Sequence, residues 1–254
     1  MVFQGDVAGG WPHSQPQPRR RRGALVVAGV LTVVCLAALV ASAVVLAGEL
    51  TRPPTAAERD RATAAELARR WEAWPAGKIF PDTVPYTLSV GGKESARRIG
   101  IGHETACEGA VDASLRAVLR SHGCRAVIRA TYLDQLQGLA MTVGVVAFPD
   151  ASKASGAMSG LPKEIKASSG LRALSLPGSV AARFDDAARQ EAAIRHRGPY
   201  LVMATIGYAD GRPAAKIKEK QGYLKVVVPQ LADSIIGSLA KPARPDCSSP
   251  AWSC

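Results

Sequence analysis

Four residues with the chemistry of zinc ligands fall in one short stretch: His103, Cys107, His122 and Cys124. Imidazole nitrogens and thiolates bind zinc in tetrahedral sets, but all four must converge on one ion. The residues between them argue against convergence. Thr105-Ala106-Cys107-Glu108 has the form of a capping box, and Cys107, Val111, Leu115 and Val118 follow at helical spacing. Gly123 suits the left-handed position that ends such a helix. A helix over 106–121 sets its ends roughly 20 Å apart, which separates His103 and Cys107 from His122 and Cys124. No metal and no cofactor is expected.

The same geometry bears on the disulfides. Besides Cys35 the chain holds Cys107, Cys124, Cys247 and Cys254, and an even number in an oxidising compartment favours two bridges. A disulfide needs Cα atoms within about 7 Å, which the expected helix denies to Cys107 and Cys124. The favoured pairing therefore joins these two to Cys247 and Cys254 and staples the tail onto the domain. A local Cys247–Cys254 bond is the rival.

The remaining chemistry is thin. Beyond the apolar N-terminal stretch the histidines are His103, His122 and His196, each able to serve a serine or cysteine nucleophile. His196 lies between Arg195 and Arg197. Gly100-Ile101-Gly102-His103-Glu104-Thr105 begins like a dinucleotide fingerprint but carries Thr105 at the third glycine, and Gly91-Gly92-Lys93 lacks the rest of a phosphate loop. Gly156-Ala157-Met158-Ser159-Gly160 puts its serine one place late for a nucleophile elbow. Asp185-Asp186 is a loop pair. No catalytic residue is assigned, and a non-catalytic role is the first expectation.

The elements that must position these residues alternate between hairpins and single helices. Thr55 can cap a helix over 56–74, just after Pro53-Pro54, with Trp71 and Trp74 on one face. Extended runs over 84–90 and 93–101 meet at Gly91-Gly92, a two-residue hairpin signal. Runs over 125–132 and 139–148 form a second hairpin, and runs over 190–197 and 200–208 a third around Gly198-Pro199. A weak helix is expected over 150–160, a loop over 161–170 and a strand over 171–176. Leu224, Val227, Val228, Leu231, Ile235 and Leu239 mark a closing helix that Pro229 either kinks or begins. The class is α+β: an antiparallel sheet built of hairpins with helices packed on a face.

Place is clearer than chemistry. Arg19, Arg20, Arg21 and Arg22 precede an uncharged run over 23–48, dense in Val, Leu and Ala. At about 1.5 Å per residue that run is long enough for a hydrocarbon core of about 30 Å, and in lipid it must be helical. The arginine block keeps its own side cytoplasmic. The domain plan is a disordered cytoplasmic tail (1–22), a transmembrane helix (23–48), a helical stalk (49–77), an extracytoplasmic α+β domain (78–240) and a cysteine-containing tail (241–254). A cleaved signal is the competing reading, with small-residue patterns at Ala41-Ser42-Ala43 and Leu46-Ala47-Gly48, but a signal core usually runs about 7–15 residues.

Charge then bounds the partners. Of 32 Lys and Arg, four lie in the block, leaving 28; of 21 Asp and Glu, only Asp6 precedes the run, leaving 20, so the part beyond the helix carries net +8. The expected partners are the membrane, an envelope protein, and anionic envelope polymer or lipid head groups; nucleic acid is not among them.

One resemblance adds to this. Along Cys107-Glu108-Gly109-Ala110-Val111-Asp112, Gly123-Cys124-Arg125, Arg129-Ala130-Thr131-Tyr132 and Thr142-Val143-Gly144-Val145, the chain resembles uncharacterised actinobacterial single-pass membrane proteins. Gly198-Pro199-Tyr200 and the run 208–213 continue the pattern. The resemblance implies a cell-membrane location with one extracytoplasmic α+β domain and carries no activity. The expected function is an anchored binding or scaffolding protein of the envelope, with an extracytoplasmic hydrolase or ligand sensor as the alternative.

Overall fold

The computed structural model describes residues 19–88, 91–219, 221–247, 249 and 252. The tail over 1–18 and Cys254 lie outside the described residues. The chain divides into two units, Met1–Pro53 and Pro54–Cys254.

The first unit is helix α1, Arg19–Thr51, which includes the four arginines in its first turn. Its stretch Gly23–Thr51, 29 residues, is long and apolar enough to cross a membrane. Its few hydroxyls are satisfied within the helix: Thr32, Ser42 and Thr51 each donate to the carbonyl four residues back, at 2.8 Å. A helix so arranged offers an apolar solvent only hydrocarbon and paired backbone.

The second unit is built in chain order from α2 (Ala56–Ala73), α3 (Ala76–Ile79), β1 (Thr83–Thr87), β2 (Lys93–Ile101), α4 (Cys107–Ala110), α5 (Ala113–Ser121), β3 (Ala126–Leu133), β4 (Leu139–Ala147), α6 (Ala151–Gly160), β5 (Arg189–Arg197), β6 (Tyr200–Tyr208) and α7 (Leu224–Leu239). The strands form one antiparallel sheet in the order β1-β2-β3-β4-β6-β5. The mixed α+β class and the three hairpins are as the sequence predicts.

Helices cover both faces. Alternation along β6 sends Tyr200, Val202, Ala204 and Ile206 to one face and Leu201 and Met203 to the other. The first face receives α7, whose Leu224, Val227, Val228, Leu231, Ile235 and Leu239 are all buried. Each such aliphatic side chain contributes roughly 1.5–3 kcal/mol by leaving water. The sheet curls so far that α7 touches both edge strands, β1 and β5. Pro229 lies inside α7 without ending it, because buried Leu224, Val227 and Val228 hold the turn before it. The second face receives Leu115 and Leu119 of α5 and Ala154 and Ala157 of α6.

Helix α2 is more than a connector. Thr55 caps it with a full capping box to Glu58. At its far end the buried Arg70 donates to the carbonyls of Leu239 (2.8 Å) and Lys241 (2.7 Å), satisfying acceptors that the end of α7 leaves open. Trp71 and Trp74 pack against the main core. The segment expected to link anchor and domain is thus fastened onto the domain over Leu67–Trp74.

The single helix expected over 106–121 does not form. Val111 is extended and makes a β-bridge with Leu171, so the stretch splits into α4 and α5, and Asp112 restarts the helix. The chain turns between the two pieces, and Cys107 bonds to Cys124 with Cα atoms 6.4 Å apart. This overturns the pairing of Cys107 and Cys124 with the tail cysteines. Cys247 is itself disulfide-bonded, and Cys35 is a free thiol on α1. The strand expected over 171–176 shrinks to the one bridge at Leu171, because side chains rather than a partner strand take up its backbone groups.

Candidate functional site

The disulfide removes the zinc set, since oxidised Cys107 and Cys124 cannot ligate; no cluster of three His, Cys, Asp or Glu able to hold a metal occurs among the described residues. The histidines stand apart. His103 is exposed. His122 Nδ1 lies 2.9 Å from the Val118 carbonyl and 3.2 Å from Ser121 Oγ, and its ring abuts Gly156 of α6. His196 Nε2 faces the Gly198 carbonyl at 3.2 Å. The latter two contact local backbone, and the structure does not bring the three together.

What the fold does bring together is a partly buried ionic lattice around the segment 170–174, deepest at Arg189. Asp112 accepts from the Gly170 N–H at 2.8 Å, and its carboxylate takes two hydrogen bonds from the Arg189 guanidinium at 2.8 and 3.1 Å. The Arg189 side chain is only 4% exposed and also donates to the Leu171 carbonyl at 2.7 Å. Asp186 accepts from Arg172 Nε at 2.7 Å and from the Ala173 N–H at 2.8 Å. Burial pushes the Asp186 carboxyl up, but these two bonds and the nearby arginine charges outweigh it and hold it below its ordinary value. Burial lowers the Arg129 guanidinium, which Glu104 only partly offsets at 3.7 Å. The cross-strand pair Thr131 and Thr142 completes the lattice. Thr131 donates to the Leu174 carbonyl at 2.7 Å, and Thr142 accepts from the Leu174 N–H at 3.0 Å.

The pairing of Arg189 with Asp112 depends on a β-bulge. Arg189 lies opposite Gly207 and Glu191 opposite Ile206, so Gln190 is the extra residue. In a regular strand Arg189 would share the face of Glu191 and Ala193; the bulge turns it to the opposite face, where Asp112 waits. Gly207 is required there, because a Cβ would collide with the carbonyl oxygen of Ala188.

The bulge opens onto a groove of about 710 Å³, walled by the 164–168 loop, residues 189–191, the 214–217 turn and Lys225. Its lining combines apolar Ile165, Ala167, Ala214, Ala215 and Ile217 with Glu164, Lys166, Glu191 and Lys225. Among the described residues its lining contains no histidine or cysteine, and Ser168 is its one hydroxyl. Gln190 also lines it. This side chain is 6% exposed, and both its amide nitrogen and its amide oxygen are buried without a hydrogen-bond partner. Among the described residues, Trp71 Nε1 and Arg129 Nε share that condition, each as a single atom on an otherwise bonded residue. A buried orphan polar atom costs about 1–3 kcal/mol, so two on one carboxamide are the largest unmet polar demand of any side chain among the described residues.

Sequence reasoning passed over Gln190, Asp112, Arg189 and Asp186's pairing. The usable signal was Gly207, an isolated glycine inside an otherwise regular strand pattern, which points to a bulge or a close backbone approach. The groove offers shape and both charge signs, with the unpaired Gln190 amide closed off beneath its wall. No protein-family model matches the chain, and neither a curated protein nor a solved structure matches it.

Proposed function

We propose that this chain is a membrane-anchored extracytoplasmic binding protein of the cell envelope, whose ligand site is the groove at the β5 bulge. The observation that carries the reading is Gln190: a carboxamide held at the groove with neither polar atom paired is a binding group awaiting a partner. The α1 helix and its arginine block support anchoring with the N-terminus inside, since cationic flanks stay cytoplasmic. The kinship with actinobacterial single-pass membrane proteins belongs to the same proposal.

Two measurements test it. A C-terminal epitope on wall-stripped cells is cleaved by added protease while an N-terminal epitope survives; the reverse pattern sinks the orientation. A photo-crosslinking residue replacing Ala215, at the groove wall, captures a specific adduct in growing cells, whereas the same residue replacing exposed Lys93 does not. Equal labelling from both positions removes the groove as the site.

The surplus of positive charge outside favours a further contact, with anionic envelope polymer or lipid head groups over the general surface. Such binding must weaken steeply between low and physiological salt; indifference to ionic strength excludes it.

A further inference from the structure

We propose that the groove takes an extended peptide segment and that the Gln190 carboxamide pairs with the main-chain N–H and C=O of one of its residues; this rests on the binding reading above and specifies it. The protein already contains the interaction. Gln230 of α7 accepts from the Thr87 N–H at 2.9 Å through its amide oxygen and donates to the Thr87 carbonyl at 2.9 Å through its amide nitrogen. Thr87 ends the edge strand β1, so one glutamine grips one residue of an extended chain by both backbone groups. Gln190 has the same two groups with nothing on them.

The chemistry selects the ligand class. In an extended chain the N–H and C=O of one residue point to the same side, at the spacing a carboxamide matches. The acylamide of a sugar is trans, and its N–H and C=O point opposite ways, so one carboxamide cannot hold both. The charged groups lining the groove argue in the same direction. Glu164 and Glu191 stand beside Lys166 and Lys225, and the remaining charged liner, Arg189, is already paired with Asp112, so a polyanion meets as much repulsion as attraction, while a peptide of low net charge meets neither. Ile165, Ala167, Ala215 and Ile217 supply apolar walls for its side chains. The carboxamide is closed off from solvent, so the 164–168 loop shifts to admit the ligand. Among the described residues its one backbone bond outside regular elements is the local one from the Ser169 N–H to the Lys166 carbonyl, so the shift costs chiefly the packing of Ile165 against the second-face core.

The test uses the full chain in lipid nanodiscs and a library of capped hexapeptides of low net charge, with N-acetylated sugar oligomers as the comparison. Wild-type protein selects peptides from the library. Q190L loses affinity for the selected peptide by about tenfold or more, and melts higher because the orphan amide is gone. Replacing one peptide amide by an ester removes a single N–H; at the gripped residue this weakens wild type but leaves Q190L unchanged. Undiminished peptide binding by Q190L overturns amide pairing while leaving the groove in place. Selection of sugar oligomers over every peptide overturns the ligand class. If no peptide binds, the Ala215 crosslinker separates the cases: an adduct retains the groove and refutes the peptide, and no adduct refutes both.

Discussion

Arg189 and Asp112 lie 77 residues apart and meet through two hydrogen bonds, with the guanidinium almost wholly out of solvent. The contact joins the edge strand β5 to the start of α5, and through Gly170 and Leu171 it fixes the segment beside the groove's lip. Removing one partner strands the other's charge in the interior. Asp112→Ala should therefore destabilise the detergent-solubilised chain by about 3–5 kcal/mol in urea unfolding. The double variant Asp112→Leu/Arg189→Met should regain most of that loss, and a double variant no better than the single would show that the pair acts by packing alone.

Gly207 faces the bulge at a distance that admits no side chain. Gly207→Ala should force β5 away from β6, lower the melting temperature and destroy the crosslinks formed from position 215. Circular dichroism melting and the crosslinking yield read the two effects separately. An alanine variant as stable and as active in crosslinking as wild type would remove the bulge from the argument.

Asp186 gives the lattice a pH dependence of known sign. Its folded value lies below the ordinary carboxylate value of about 3.9, so its contribution is complete above about pH 4 and is lost as pH falls through the depressed value. Urea midpoints measured from pH 6 down to pH 2 should drop more steeply for wild type than for Asp186→Asn, which starts lower and falls less. Parallel curves would contradict the shift.

The Cys107–Cys124 bond closes a loop of 17 residues. In the chain-entropy model such a loop is worth about 3 kcal/mol. Non-reducing peptide mapping should recover the Cys107–Cys124 peptide, and Cys107→Ala/Cys124→Ala should lose stability by about that amount. Recovery of either cysteine joined to Cys247 would contradict the fold at α4.

The strands were legible because alternation and turn residues are local: Gly91-Gly92 and Gly198-Pro199 each sit between runs that form the hairpins. The split between α4 and α5 was not, because Val111 keeps helical spacing with Cys107 and Leu115 while its actual partner, Leu171, lies 60 residues on. Thr105 and Glu108 likewise carry capping-box types, yet the cap falls at Ala106 without a side-chain bond. The site was the least legible part. Nothing in Arg-Gln-Glu marks Gln190 as a bulge residue, since the bulge is set by Gly207 across the ladder and by the reach of Arg189 to Asp112. Helix α1 was the easiest element to read, as its signal is composition over a long window and needs no tertiary partner.

The curling of the sheet around α7 has a consequence for biogenesis. Strand β1 is made early and β5 late, yet both lean on a helix that begins at Leu224. Until that last helix emerges from the ribosome, the apolar face of the six earlier-made strands has only the α2–α3 segment, with Trp71, Trp74, Ile79 and Phe80, as cover. Nascent chains halted before residue 224 should therefore be sticky and protease-sensitive, and need a chaperone until that helix is made.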